Sequence, residues 1–125
     1  MTLDEIKALA TRFFDAIEAG DAATVADCYA DDVAIWHNTD RQIETKADNV
    51  KTLSGFIRHI PTRRYEDRRL TVYPGGFVQQ HLLVGVRPDG KRVELPACLV
   101  CAVADGRITR LDEYFDSEQV AAWSR

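Results

Sequence analysis

Glu113 is the residue in this 125-residue chain best suited to acid–base chemistry. It lies in the run Arg107 to Asp116, which follows the run Arg92 to Ala104 across an Asp105-Gly106 pair. Asp-Gly between apolar runs predicts a β-hairpin with a type I′ turn, because that turn needs positive φ at both central residues. Alternation along the second strand puts Thr109, Leu111, Glu113 and Phe115 on one face. Ile108, Arg110, Asp112, Tyr114 and Asp116 take the other. Glu113 thus shares the more apolar face, where desolvation raises the pKa of a pocketed carboxylate toward the range useful for proton transfer. Two histidines are candidate catalytic partners. His37 shares a face with Val33 and Ile35, and His81 shares one with Phe77 and Leu83. Gln80 falls on the alternate face, with Val78, Leu82 and Val84. A β-bulge would exchange these two assignments, so one of Gln80 and His81 is expected to line a cavity.

Asn38 and Gln80 are the polar groups expected to orient a substrate, with Trp36 beside Asn38 on the pocket wall. Phe13, Phe14, Ile17, Phe56, Leu95, Ala97 and Leu99 read as pocket wall or core. His59, near a helix C-terminus, reads as structural. The three histidines show no ligand spacing, so no metal site is expected. Cys98-Leu-Val-Cys101 matches C-x-x-C by letters, but on a strand residues three apart point to opposite faces. Core packing is therefore the expected role of the cysteines.

The elements that must position these residues are legible in order. Thr2 to Glu5 is a capping box, followed by Ile6, Leu9, Ala10, Phe13 and Ile17 at helical spacing. Gly20 stops that helix, and Asp21 caps a second one through Val25, Cys28 and Tyr29, ended by Asp31-Asp32. Val33 to Asn38 reads as a short strand and Thr39 to Glu44 as a loop. Thr45 caps a third helix with a Val50, Leu53, Phe56, Ile57 and Ile60 stripe, stopped by Pro61. Arg63 to Tyr73 reads as a polar, solvated edge or interface strand. Phe77 to Arg87 follows a Pro-Gly-Gly turn, and Ser117 is expected to cap a short C-terminal helix. Three helices ahead of a run of meandering antiparallel strands predict an α+β fold, with the helices on one face of a curved sheet around an apolar cavity.

Residues 1–125 form one domain at this length. A formal net charge of −4 with interspersed signs argues against a nucleic-acid surface. No apolar run approaches a membrane span, and the N-terminus reads as an amphipathic helix, not a signal peptide, so the cytoplasm is the expected location. The strand after Gly90 is apolar on both faces in its second half, which predicts a homodimer through the sheet.

The order of elements resembles the nuclear transport factor 2-like superfamily, a cystatin-like α+β cone. The resemblance rests on Arg12-Phe13-Phe14, Glu18-Ala19-Gly20-Asp21, Tyr29-Ala30-Asp31-Asp32-Val33, Val93-Glu94-Leu95-Pro96 and Asp105-Gly106-Arg107-Ile108-Thr109 through Glu113-Tyr114-Phe115-Asp116. The last is most similar to SnoaL-like polyketide cyclases and limonene epoxide hydrolases, and the Glu-Ala-Gly-Asp turn is shared with ketosteroid isomerases. By the resemblance, the isomerase base falls on His37, while its two oxyanion donors fall on Phe13 and near Cys98, so the usual steroid isomerisation is not expected. One hydrolase acid falls on Glu113 and the water-holding pair on Trp36 and Asn38. The hydrolase Arg–Asp pair falls near Gln80 and Leu82, which makes epoxide hydrolysis the lesser expectation. The resemblance implies a cofactor-independent acid/base enzyme of cyclase, isomerase or lyase type, acting on a small hydrophobic oxygenated substrate. Glu113 would be its acid/base, with His37 or His81 as partner. The alternative is a non-catalytic module of the same fold that binds a hydrophobic ligand or dimerises.

Overall fold

The computed structural model describes residues 1–124. Local signals explain its helices. Helix α1 (Leu3–Ala19) starts at the Thr2–Glu5 capping box and ends where Gly20 adopts φ 76°. Asp21 caps α2 (Ala22–Cys28), and Thr45 caps α3 (Lys46–His59). Burial of Ile6, Leu9, Ala10, Phe13, Phe14 and Ile17 fixes α1 against the sheet.

The strands are β1 (Tyr29–His37), β2 (Ile43–Glu44), β3 (Thr62–Tyr73), β4 (Gly76–Val86), β5 (Arg92–Ala104) and β6 (Arg107–Phe115), followed by helix α4 (Ser117–Ala121). They form one sheet in the order β2-β1-β6-β5-β4-β3. β3 to β6 run antiparallel, and β1 joins β6 in parallel. The hairpin turn has positive φ at both Asp105 and Gly106, as a type I′ turn requires. The fold is thus the expected α+β arrangement, with α1 to α3 preceding the long strands.

Several local expectations are corrected. β1 starts at Tyr29, so Asp31 and Asp32 lie within a strand; a register shift between Tyr29 and Ala34 absorbs them. The segment read as a loop contains β2, which pairs Glu44 with Ile35. Asp116, not Ser117, caps α4, accepting from the Glu118 amide. β3 is not simply solvated: Arg63 is buried, donating to the carbonyls of Ile17 (2.8 Å) and Ile60 (2.6 Å) at the ends of α1 and α3. A methyl group at Gly20 would collide with that guanidinium, so the left-handed turn also makes room for Arg63.

Two apolar clusters hold the cone. The larger joins α1 and α2 to the sheet through Phe13, Phe14, Ile35, Phe77 and Leu111. The smaller gathers Ile60, Val93, Leu95 and Trp123 beneath α4. Gly85 lets Trp123 lie against β4, since a Cβ there would sit 2.6 Å from the indole ring. No helix among the described residues is long and apolar enough to cross a membrane.

Candidate active site

The space between the two clusters is a cavity of about 320 Å³. Phe13 and Ile17 of α1, Leu53 and Phe56 of α3, and Leu83, Leu95, Leu99 and Leu111 of the sheet line it. Phe115, Val120 and Trp123 close the α4 end. Its wall also carries His37, Glu113, Tyr29, Asn49, Thr52 and Tyr65. A largely apolar pocket with a few convergent polar groups is the usual form of a small-molecule site.

His37 and Glu113 are register partners across the parallel β1/β6 pair, so their side chains emerge side by side. His37 Nε2 stands 3.2 Å from Glu113 Oε1, and each side chain is 20% exposed. The other ring nitrogen, Nδ1, faces Glu44 Oε1 at 3.6 Å. Burial opposes protonation of His37, but the hydrogen bond and charge of Glu113, with the charges of Glu44 and Asp40, outweigh it and hold the pKa above the usual histidine value. Glu44 lies behind the wall and links His37 to Asn49 and Thr52, which do line it. It accepts from Asn49 Nδ2 at 3.4 Å, and the Thr52 hydroxyl lies 3.1 Å from its second oxygen. Asn49 Oδ1 in turn accepts from the Tyr29 hydroxyl at 2.8 Å. Burial keeps that phenol far from ionisation.

Asn38 does not join the wall. Its amide donates to the Phe115 carbonyl and accepts from the Phe115 N–H, both at 3.0 Å, and its own N–H donates to the Glu113 carbonyl. It prolongs the β1/β6 ladder past the end of β1, which locks the His37–Glu113 register. Trp36 points to the opposite face of the sheet, where it packs on Tyr114 at 5.3 Å between ring centroids.

On β4 the expected order of faces is resolved without a bulge. Gln79 (2% exposed) and His81 (5%) turn inward, and Gln80 is exposed on the outer face, which removes it from the site. Apolar residues occupy both faces of β4, so alternation alone could not say which face was inside. His81 does not reach the cavity wall: it packs on Phe14 and Tyr65, with Nδ1 3.0 Å from Gln79 Nε2. Burial, reinforced by the Arg68 charge, lowers its pKa to about 4. His81 is therefore neutral near pH 7 and is not the partner of Glu113. Phe14 and Ala97 are core residues beside the cavity instead of on its wall, whereas Phe13, Ile17, Phe56, Leu95 and Leu99 line it.

Sequence reading missed Glu44, Asn49, Tyr29 and Tyr65. Glu44 was hidden in a polar stretch without periodicity, and Tyr65 among arginines; only the inward side of α3 carries a trace of Asn49, one turn before Leu53. The cysteines are unpaired, with Cys101 buried inside and Cys98 half-buried on the outer face. No group of three or more His, Cys, Asp or Glu side chains able to hold a metal occurs among the described residues.

A family model described as a SnoaL-like domain matches residues 10–111. The chain belongs to the SnoaL-like domain family. Solved structures share the whole architecture of this SnoaL-like domain. AclR from Streptomyces galilaeus, described as a hydroxylase candidate, superposes with a TM-score of 0.85 at 16% identity, over 97% of this chain and 96% of that one. A candidate polyketide cyclase from Xanthomonas campestris pv. campestris gives 0.84 at 22% identity, over 97% of each chain. An LEH-like epoxide hydrolase of M. tuberculosis gives 0.82 at 20% identity, over 96% of this chain and 89% of that one. At these identities the likeness concerns the fold. Comparison with curated proteins found no match to this chain.

Proposed function

We propose that this SnoaL-like domain is a cofactor-independent acid/base enzyme of the polyketide cyclase, isomerase or lyase type. Its substrate would be small and apolar, with an acidic C–H beside a carbonyl. The observation that carries this reading is the His37–Glu113 pair, 3.2 Å apart on the wall of an otherwise apolar cavity. Glu113 is the base: it takes the α-proton on a carboxylate oxygen, and the electron pair moves to the substrate carbonyl oxygen. His37 stays between Glu113 and Glu44, orients the carboxylate and balances its charge before the proton moves. In isomerisation Glu113 returns the proton to another carbon of the enolate. In cyclisation the enolate carbon attacks a second carbonyl carbon of the substrate, the π bond of that carbonyl breaks, and its oxygen takes the proton from Glu113. Proton removal next to a carbonyl asks little more than a positioned base and a dry pocket.

The test is exchange of the α-protons of 2-tetralone in D₂O, followed by NMR. Wild type should accelerate exchange over buffer, and Glu113→Gln should abolish the acceleration. Binding of 2-tetralone without accelerated exchange would overturn the enzyme and leave a ligand-binding module.

We further propose a homodimer. The outer face of the sheet carries Trp36, Val78, Leu82, Val100 and Tyr114, an apolar strip that a second copy of the chain would cover.

A further inference from the structure

Tyr65 is a polar cavity-wall residue that the proposed reaction does not use and, unlike Tyr29 and Asn49, it has no hydrogen-bond partner for its side chain among the described residues. It is packed against α1, β4 and Arg68, and its hydroxyl is left without a partner. Its backbone N–H donates to Glu18 Oε2 at 2.8 Å, which ties β3 to α1. Its ring lies against His81 (4.3 Å between centroids) and Phe14 (5.4 Å, edge to face). The Arg68 guanidinium sits 5.5 Å from the ring centroid and is itself pinned by Asp15 at 2.6 Å and Glu18 at 3.1 Å. Just beyond it, the β3/β4 register slips between Glu66 and Arg69, with Asp67 at φ 54°. Bulges of this kind re-aim side chains beside functional sites. These contacts set the direction of the ring along the cavity wall.

The hydroxyl makes no hydrogen bond among the described residues, and it is not sealed in the core: the buried side-chain atoms without partners are His81 Nε2 and Trp123 Nε1. A packed phenol without an internal partner, on the wall of an apolar cavity, is a hydrogen-bond donor waiting for an acceptor. Tyr65 reaches the cavity from the β3 edge of the sheet, and His37 and Glu113 reach it from the β1/β6 side. Burial, with the Glu113 charge second, keeps the proton on Tyr65, so the phenol acts as donor and not as base.

We propose that the Tyr65 hydroxyl donates a hydrogen bond to a carbonyl oxygen of the ligand, and so selects carbonyl compounds over hydrocarbons of the same shape. The proposal rests on the acid/base reading for its catalytic consequence. When Glu113 takes the α-proton, the electron pair settles on that oxygen, and Tyr65 holds the developing charge without transferring its own proton.

The test needs no turnover. 2-Acetylnaphthalene, which only accepts hydrogen bonds, is compared with 2-ethylnaphthalene, which does neither. Wild type should bind the ketone about tenfold tighter, with the bound carbonyl stretch shifted to lower frequency than in a dry apolar solvent. Tyr65→Phe should abolish both the preference and the shift, while keeping wild-type affinity for 2-ethylnaphthalene, which also shows that the variant is folded. An unchanged shift in Tyr65→Phe would overturn the donor and leave the Glu113 reaction standing. Failure of wild type to bind either compound would overturn the donor and the cavity reading together. A normal Tyr65-dependent shift with no tetralone exchange would keep the donor and remove the enzyme.

Discussion

His37 and Glu113 face each other across the parallel β1/β6 pair, with Nε2 3.2 Å from Oε1, and Asn38 locks the ladder immediately beyond them. The pair makes the charge of His37 depend on Glu113. Replacing Glu113 by Gln removes the strongest interactions that favour the imidazolium, while the burial that opposes it remains. NMR titration should show the His37 pKa falling in Glu113→Gln. Exchange activity should fall by roughly 10²- to 10⁴-fold, the usual weight of a general base. An unmoved His37 pKa would separate the two residues.

The two inward histidines should give stability opposite pH dependences. His37 has a raised folded pKa, so its contribution is complete below about 6.5 and is lost as pH rises through the folded value. His81 has a folded pKa of about 4 against an ordinary 6.5, so the unfolded chain binds a proton that the folded chain refuses. Stability should therefore fall as pH drops from 6.5 toward 4, by about 3 kcal/mol in all at about 1.4 kcal/mol per pKa unit. Urea unfolding across pH should show a maximum near 6.5. His81→Gln should flatten the acid limb, and His37→Asn the alkaline one.

Arg63 fastens β3 to the ends of two helices through carbonyl groups alone. Arg63→Ala strands those buried acceptors and should cost about 3 kcal/mol in denaturant unfolding. Arg63→Lys should recover only part of that, because an ammonium lacks the guanidinium fork. Gly20→Ala should also destabilise, by at least about 1 kcal/mol, since it meets both the positive φ and the guanidinium.

Leu83 is half-buried on β4 and lines the cavity. Leu83→Trp should extend into that space, leaving the melting temperature within a few degrees of wild type while weakening 2-ethylnaphthalene binding at least tenfold. Unchanged binding would mean that the apolar ligand sits elsewhere.

Val100 lies on the outer sheet face opposite Val78 and Asp112 in the ladders. Light scattering should report a dimer for wild type and a monomer for Val100→Glu, because an unpaired carboxylate in a closed interface is strongly unfavourable. A wild-type monomer at micromolar concentration would refute the dimer.

Local chemistry determined much of this protein in the sequence alone. The Thr2–Glu5 box, Gly20, Asp21, Thr45 and Asp105-Gly106 act within a few residues of themselves, and the α1 stripe and the shared face of Leu111, Glu113 and Phe115 follow from simple periods; at the start of β6 a register shift breaks the alternation and buries Ile108 instead of Thr109. Tertiary structure decided the rest. Alternation orders the faces of β4 but cannot say which is inside when both are apolar, so the choice between Gln80 and His81 stayed open until the fold turned His81 inward and Gln80 outward. The His37–Glu113 contact needs the parallel β1/β6 register, which no local signal sets. Glu44, Tyr65 and Arg63 sit in charged stretches whose burial arises only when the sheet curls, at the β3 bulge and around the ends of α1 and α3. The site is assembled by long-range pairing and curvature, and those are properties of the whole curled sheet with its helices and not of any one stretch of chain.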